Sequence, residues 1–489
     1  MARTRQIFTW LAALFAGLCS AAHVVAGGAA AETCYLDGWG NPLHCYRLPV
    51  EGKPETPRLA VMVAPAVHDS GEEPLYLLAG GPGQAASDLA PLLNAFKPIN
   101  RERDIVMVDR RGSGRSGAFH CGIEDQLSLD LDVFARKLAR CYLQRPEFAE
   151  SLSSRQTVED LEMVRLRLGH EQIALWGGSW GTRTALLYQQ WYPESVSELV
   201  LDAVAPIDTK VFLTARAAEE ALRTLERDCA SDPACARLGD WRGRLDEMLD
   251  NWDAGRAPVL PDPLTGKLSG EPMARWEFAN AIRTVLYDPG AAAQLPYAIT
   301  QAHQGNLQPL AGLSGLFLQA AESMSMGLTF SVACAEELNR ISAAEVAADS
   351  RGTFLGTAFF DLFKHGCRGW PVKEKPYSTP EPREHPVLLI SGEADPITPP
   401  RYAEVELGYL ANRQHLIVAS GGHINSARGC IPGLIASFLA DPAEALDTTC
   451  SGQIGRPPFM VADYGPDIGG VSPQDVEAVG KVSGKEAGQ

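Results

Sequence analysis

No Cys-x-x-Cys pair occurs in the 489 residues, and the ten histidines form no metal-ligand pattern with the cysteines. That absence leaves no recognisable thiolate or Cys/His metal site, and neither a metal nor a cofactor is expected. Net positive charge is missing too: 43 Lys and Arg stand against 60 Asp and Glu, a formal charge of -17. Such a surface repels nucleic acid and anionic lipid and favours solubility, so no nucleic-acid partner is expected. Beyond the first segment no stretch is long and apolar enough to cross a bilayer, so stable membrane insertion is not expected either. There is no internal repeat, and low complexity is confined to the two ends. Apolar residues are not scarce: at 45%, with 21% charged, they supply a buried core and exclude wholesale disorder.

What is present begins with a three-part leader. Arg3 and Arg5 precede an apolar run from Ile7 to Leu18, and small residues follow to Ala31. This is the layout of a secretory signal peptide over residues 1–31, with a soluble exported protein, periplasmic or secreted, starting near Glu32. A lipid anchor on Cys19 is disfavoured, because Leu18 occupies the place of a small residue. Eleven cysteines become ten once Cys19 leaves, and an even number in an oxidising compartment points to disulfides. Sequential couples are the simplest connectivity, which sequence alone does not fix: Cys34 with Cys45, Cys121 with Cys141, Cys229 with Cys235, Cys334 with Cys367, and Cys430 with Cys450.

Six short aliphatic runs carry the fold class. They span Leu75 to Ala79, Asp104 to Val108, Gln172 to Trp176, Glu198 to Leu201, Pro386 to Ile390 and His415 to Val418. A strand without polar interruption is buried on both faces, and helical patterns follow these runs, so an α/β protein with a mostly parallel sheet is expected. From about Ile207 to Arg383 the strand rhythm stops and helical patterns such as RWEFANAIRTVLY take over. This is too long for one crossover, so residues 207–383 are expected to form an inserted, mainly helical cap domain. The core is then split into residues 32–206 and 384–460, and residues 461–489 are expected to be a flexible tail.

Chemistry centres on Gly177-Gly178-Ser179-Trp180-Gly181, the one match to Gly-x-Ser-x-Gly in the chain. With 46 glycines the pentapeptide alone is weak, but a strand runs into it and a helix runs out of it. A nucleophile elbow needs that arrangement, with a strained serine and glycines two residues to either side. Serine needs a base, and the base needs an orienting acid. Asp395 follows the fifth run and His423 the sixth, in the chain order Ser, Asp, His and on one edge of the sheet. Asp202 at the end of the fourth run is the rival acid, and Glu393 a third option. Trp180 N–H is the first expected oxyanion donor, and Gly81 N–H, in the Gly80-Gly81-Pro82-Gly83 loop after the first run, is the second.

Together these segments resemble the proline iminopeptidase and tripeptidyl aminopeptidase branch of the α/β-hydrolase serine peptidases. The matching pieces are GGPGQ (80–84), DIVMVDRRGSGRS (104–116), WGGSWGT (176–182), LVLDAVAP (199–206), SGEADPITP (391–399) and GGH (421–423). The cysteine couples are similar to those of exported tripeptidyl aminopeptidase-like members. The resemblance implies an α/β-hydrolase fold, Ser179, Asp395 and His423 as the triad, Gly81 and Trp180 as oxyanion donors, and a cap restricting the site to short substrates or free amino termini. Proline iminopeptidases commonly carry histidine before Gly-Gly-Pro-Gly where this chain has Ala79, which moves the match toward the tripeptidyl branch. By analogy, Glu336 and Glu337 are the candidates for holding a substrate ammonium group, with Glu277 a weaker one.

Three functions follow as expectations. The first is an exported serine exopeptidase acting on peptides. The second is an esterase or amidase taking small acyl substrates with the same triad, since fold does not fix substrate. The third is a non-catalytic binding protein on a hydrolase scaffold.

Overall fold

The computed structural model describes residues 31–50, 57–122, 131–262, 265–268, 272–315 and 324–467. Apart from Ala31, the expected signal peptide lies outside these residues, as does the tail from residue 468. No helix among the described residues is long and apolar enough to cross a membrane.

Nine strands form one sheet: β1 (Glu32–Leu36), β2 (Trp39–Leu48), β3 (Leu59–Ala64), β4 (Leu75–Leu78), β5 (Ile105–Val108), β6 (Ile173–Gly178), β7 (Val196–Asp202), β8 (Val387–Gly392) and β9 (Arg413–Val418). Their order is β1-β2-β3-β5-β4-β6-β7-β8-β9. The β1, β2, β3 and β5 pairings are antiparallel, and every pairing from β5 through β4 to β9 is parallel. All six aliphatic runs are strands of the parallel part, and β4, β5, β6 and β8 are buried at every residue. Successive side chains of a strand point to opposite faces. Leu175 therefore packs with Val158, Leu161 and Leu186 on one face, while its neighbour Trp176 packs with Ile435 and Phe438 on the other.

The first face is covered by helices α2 (Ser154–Leu168) and α3 (Trp180–Trp191), which follow α1 (Leu131–Tyr142). Between β7 and β8 the chain is helical, with α4 (Ala215–Ser231), α5 (Trp241–Asp253), α6 (Arg275–Val285), α7 (Met326–Glu336) and α8 (Ala358–Gly369). Leu222, Trp241, Trp252, Phe278 and Ile282 give this insertion its own core. A second cluster joins α7 and α8 to α1 and to Trp180 beside the serine. After β9, helix α9 (Ile431–Ala440) covers the second face. Five disulfides join the sequential couples, Cys34–Cys45, Cys121–Cys141, Cys229–Cys235, Cys334–Cys367 and Cys430–Cys450.

The tail differs from expectation at its start. Met460–Ala462 pairs with Gly465–Pro466 in a small hairpin, and Tyr297 Oη donates to Asp463 Oδ1 at 2.5 Å. Residues 461–467 are thus docked rather than free, because Phe459 and Val461 pack into the core of the insertion.

Candidate active site

Strand β6 ends at Gly178 and helix α3 begins at Trp180; between them Ser179 has φ 56° and ψ -123°. A positive φ at a residue with a side chain is strained and persists only where its surroundings hold it. Ser179 N–H donates to the Asp202 carbonyl at 2.9 Å, and Thr182 N–H donates to the Ser179 carbonyl at 2.9 Å. The flanking glycines are required by contact: a Cβ on Gly177 would lie 2.6 Å from the Gly181 carbonyl, and one on Gly181 would lie 2.0 Å from the Leu78 oxygen. Their bare backbones let α3 pass directly over β4 and β6.

Asp395 and His423 arrive on the loops after β8 and β9. His423 Nδ1 lies 2.9 Å from Asp395 Oδ2. The remaining lone pairs of Asp395 accept from Ile397 N–H at 2.8 Å, Thr398 N–H at 2.9 Å and Thr398 Oγ1 at 2.9 Å. Burial alone would raise this carboxyl, but the charge of His423 and these hydrogen bonds outweigh it and hold Asp395 below the usual carboxylate range. Asp395 is thus an anion built to face an imidazole, with the second ring nitrogen of His423 left for chemistry.

The rival acids have other partners. Asp202 Oδ2 accepts from Asn425 N–H at 2.7 Å, Ser426 N–H at 2.6 Å and Ser426 Oγ at 2.6 Å, so it anchors the loop just past the histidine. Burial pushes its carboxyl up to about 6, against these hydrogen bonds, and its Oδ1 is buried without a partner among the described residues. Glu393 faces outward, paired with Arg227 at 2.9 Å and accepting from Ser420 N–H. The histidine loop also leans on the insertion: His423 N–H donates to the Tyr287 carbonyl at 2.9 Å, and the Tyr287 ring meets the imidazole edge-on at 4.9 Å.

Ser179, Trp180, His423, Gly80 and Gly81 line one cavity of about 470 Å³. Gly81 sits at φ 107°, a conformation open essentially to glycine alone. Arg110, which is buried, fastens this loop from below: its Nη2 donates to the carbonyls of Gly80 at 2.5 Å and Gln84 at 3.2 Å. Burial lowers its guanidinium to about 10. The cavity walls are mostly apolar or neutral, including Leu89, Trp176, Val211, Phe212 and Phe359, and Asp88 is their one carboxylate among the described residues.

Glu336 and Glu337, the candidate ammonium ligands, do not line this cavity. Glu336 accepts from Ser154 N–H at 2.7 Å and Ser154 Oγ at 2.6 Å, at the start of α2. Glu337 is fully buried, accepts from Arg183 Nη1 at 2.6 Å and takes Phe212 N–H at 2.8 Å. Both carboxylates are consumed by fold contacts, so neither is free for a substrate. Glu277 caps its own helix through Ala274 N–H at 2.7 Å. Arg110, Thr398 and Tyr287 were given no role from the sequence. Arg110 and Thr398 lie in quoted motifs, but their function rests on burial and on partners that the motifs do not name.

Two family models match the chain. The family of the alpha/beta hydrolase fold matches residues 73–236, and the TAP-like protein family matches residues 353–450. A tripeptidyl aminopeptidase of Streptomyces coelicolor is 25% identical over 419 residues, covering 76% of this chain and 73% of its own length. A protein of the same organism named "Probable proline iminopeptidase" is 30% identical over 224 residues, 45% of this chain and 57% of its own. A proline iminopeptidase of Neisseria gonorrhoeae is 34% identical over 131 residues, 27% of this chain and 32% of its own. The chain belongs to the α/β-hydrolase family, in the branch that holds the proline iminopeptidases and tripeptidyl aminopeptidases.

Proposed function

We propose that the protein is an exported serine exopeptidase that releases short N-terminal peptides or amino acids. Ser179 Oγ attacks the carbonyl, His423 takes its proton and returns it to the leaving amine, and Asp395 fixes the imidazole tautomer. The N–H groups of Gly81 and Trp180 stabilise the oxyanion, each worth roughly 100- to 1000-fold in turnover. Water then hydrolyses the acyl-enzyme. The observation that carries this reading is the 2.9 Å contact between His423 and Asp395, with His423 and the strained Ser179 opening into one cavity. Residues 207–383 serve as the cap, and Phe212, Tyr287 and Phe359 from them form part of the cavity wall. The leader over residues 1–31 and the five disulfides support export.

One observation favours the esterase or amidase reading: Glu336 and Glu337 are turned away from the cavity, so no ammonium clamp is formed by them. Free and N-acetylated tripeptidyl p-nitroanilides separate the two. A peptidase of this kind cleaves the free form preferentially, and Ser179→Ala abolishes turnover with an unchanged unfolding midpoint. Full activity in that variant, or no labelling of Ser179 by a fluorophosphonate, would overturn the mechanism. Equal cleavage of both substrates would leave the mechanism standing and assign the enzyme to the esterase and amidase class.

A further inference from the structure

A second cavity, of about 430 Å³, opens further along α3, on Arg183, Leu187 and Trp191, and shares no lining residue with the first. Its size is within the range of small-molecule sites. Four cations line it, Arg155, Arg183, Arg340 and Lys375, against the single carboxylate of Glu336. In a chain with a net charge of -17, that concentration of positive charge is out of keeping with the rest of the molecule.

The four cations are not equivalent. Arg183 spends Nε, Nη1 and Nη2 on the Pro206 carbonyl, Glu337 and the Thr209 carbonyl, so its charge is already matched. Arg155 pairs with Glu159 at 2.7 Å and lies 4.6 Å from the Trp191 ring. Arg340 and Lys375 have no ion-pair partner among the described residues. Lys375 Nζ donates to the Glu150 carbonyl at 2.5 Å, and Arg340 Nε donates to the Glu336 carbonyl at 2.9 Å. The Arg340 guanidinium stacks on the Tyr377 ring at 3.7 Å, which fixes the plane of its fork. A planar fork and an ammonium lining one cavity offer donors that suit a carboxylate. The rest of the wall combines the apolar side chains of Leu187, Trp191, Ile207 and Pro376 with the small polar Ser153, Ser154 and Ser378. Glu336, already held by Ser154, repels a dianion more than a monoanion.

We propose that this cavity binds a small organic monocarboxylate, its carboxylate on Arg340 and Lys375 and its apolar body against Trp191, Leu187 and Ile207. The ligand is amphipathic, so inorganic phosphate, which has charge but no body, is a poor substitute. The site is independent of the serine chemistry, although one residue of each cavity touches the other. Arg183 lies 4.3 Å from the Trp180 ring, and Trp180 lines the first cavity.

Calorimetric titration of the full chain with N-acetyl-phenylalanine, its neutral amide and inorganic phosphate tests the assignment. The acid is expected to bind at least about tenfold more tightly than the amide or phosphate, by the worth of a charge-assisted hydrogen-bond pair. Arg340→Ala with Lys375→Ala should weaken the acid about tenfold or more, while Asp88→Asn, in the serine cavity, should leave its affinity unchanged. If the double variant does not fold, Arg340→Lys and Lys375→Gln, taken singly, keep the stacked stem or the size of the side chain and should each weaken the acid. Equal binding of acid and amide, phosphate binding as tightly as the acid, or unchanged affinity in the variants that fold would each overturn the proposal.

Discussion

Asp202 and Asp395 lie at the ends of neighbouring parallel strands, and both are buried, yet their surroundings give them opposite properties. Asp395 faces His423 and stays anionic, while Asp202 faces backbone donors and is pushed up to about 6 by burial. The folded value of Asp202 lies above the ordinary 3.8, so between those values the folded protein keeps a proton that the unfolded chain has lost. Stability from this group is therefore fully present below about pH 4 and is lost as pH rises through 6, to the extent of about 3 kcal/mol. Relative to Asp202→Asn, the wild-type unfolding free energy in urea should fall by about that amount between pH 4 and pH 7, and parallel pH profiles would contradict it. Sequence distinguishes the two acids through local chemistry alone. Asp395 is followed by Ile397 and Thr398, whose N–H groups an aspartate accepts two and three residues on. The partners of Asp202 are Asn425 and Ser426, 223 and 224 residues away, and nothing near Asp202 announces them.

At the scale of elements, the six parallel strands are legible because burial on both faces leaves an unbroken apolar run. β1 and β2 are not, since β1 is buried only at Leu36 and Gly40, Asn41 and Pro42 form an exposed interruption of β2. Leu59–Ala64, β3, carries the same signal as the six runs but was not among them. The elbow was legible down to its glycines, because the need for close approach is written in the spacing of the motif. Gly181→Ala should cost about 3 kcal/mol or more, since its Cβ would meet the Leu78 carbonyl at 2.0 Å, a backbone atom that cannot swing aside. Chemical denaturation checks this, and a loss under 1 kcal/mol would show that α3 can slide over β4. Glu336 and Glu337 were misplaced for a reason of range. Their partners Ser154 and Arg183 lie 182 and 154 residues upstream, so the pattern of the segment could not reveal that both carboxylates were taken.

At the scale of the whole molecule, the disulfides are local staples, closing separations of 6 to 33 residues. The longest, Cys334–Cys367, ties α7 to α8 in the cluster that also holds Trp180. In the chain-entropy account a 33-residue loop contributes about 3 to 4 kcal/mol by restricting the unfolded chain. Cys334→Ala with Cys367→Ala should therefore lower the unfolding free energy by about that much under oxidising conditions and abolish this bond's share of the destabilisation caused by reductant. A double variant as stable as the wild type would show that packing of α7 on α8 suffices. The Tyr287 carbonyl beneath His423 has a consequence of a different kind. The helical insertion holds the His423 loop in place, so it is not an interchangeable cassette. A chimera that exchanges residues 207–383 for the corresponding segment of another hydrolase inherits a working histidine only if the donor segment presents an acceptor at the position of Tyr287.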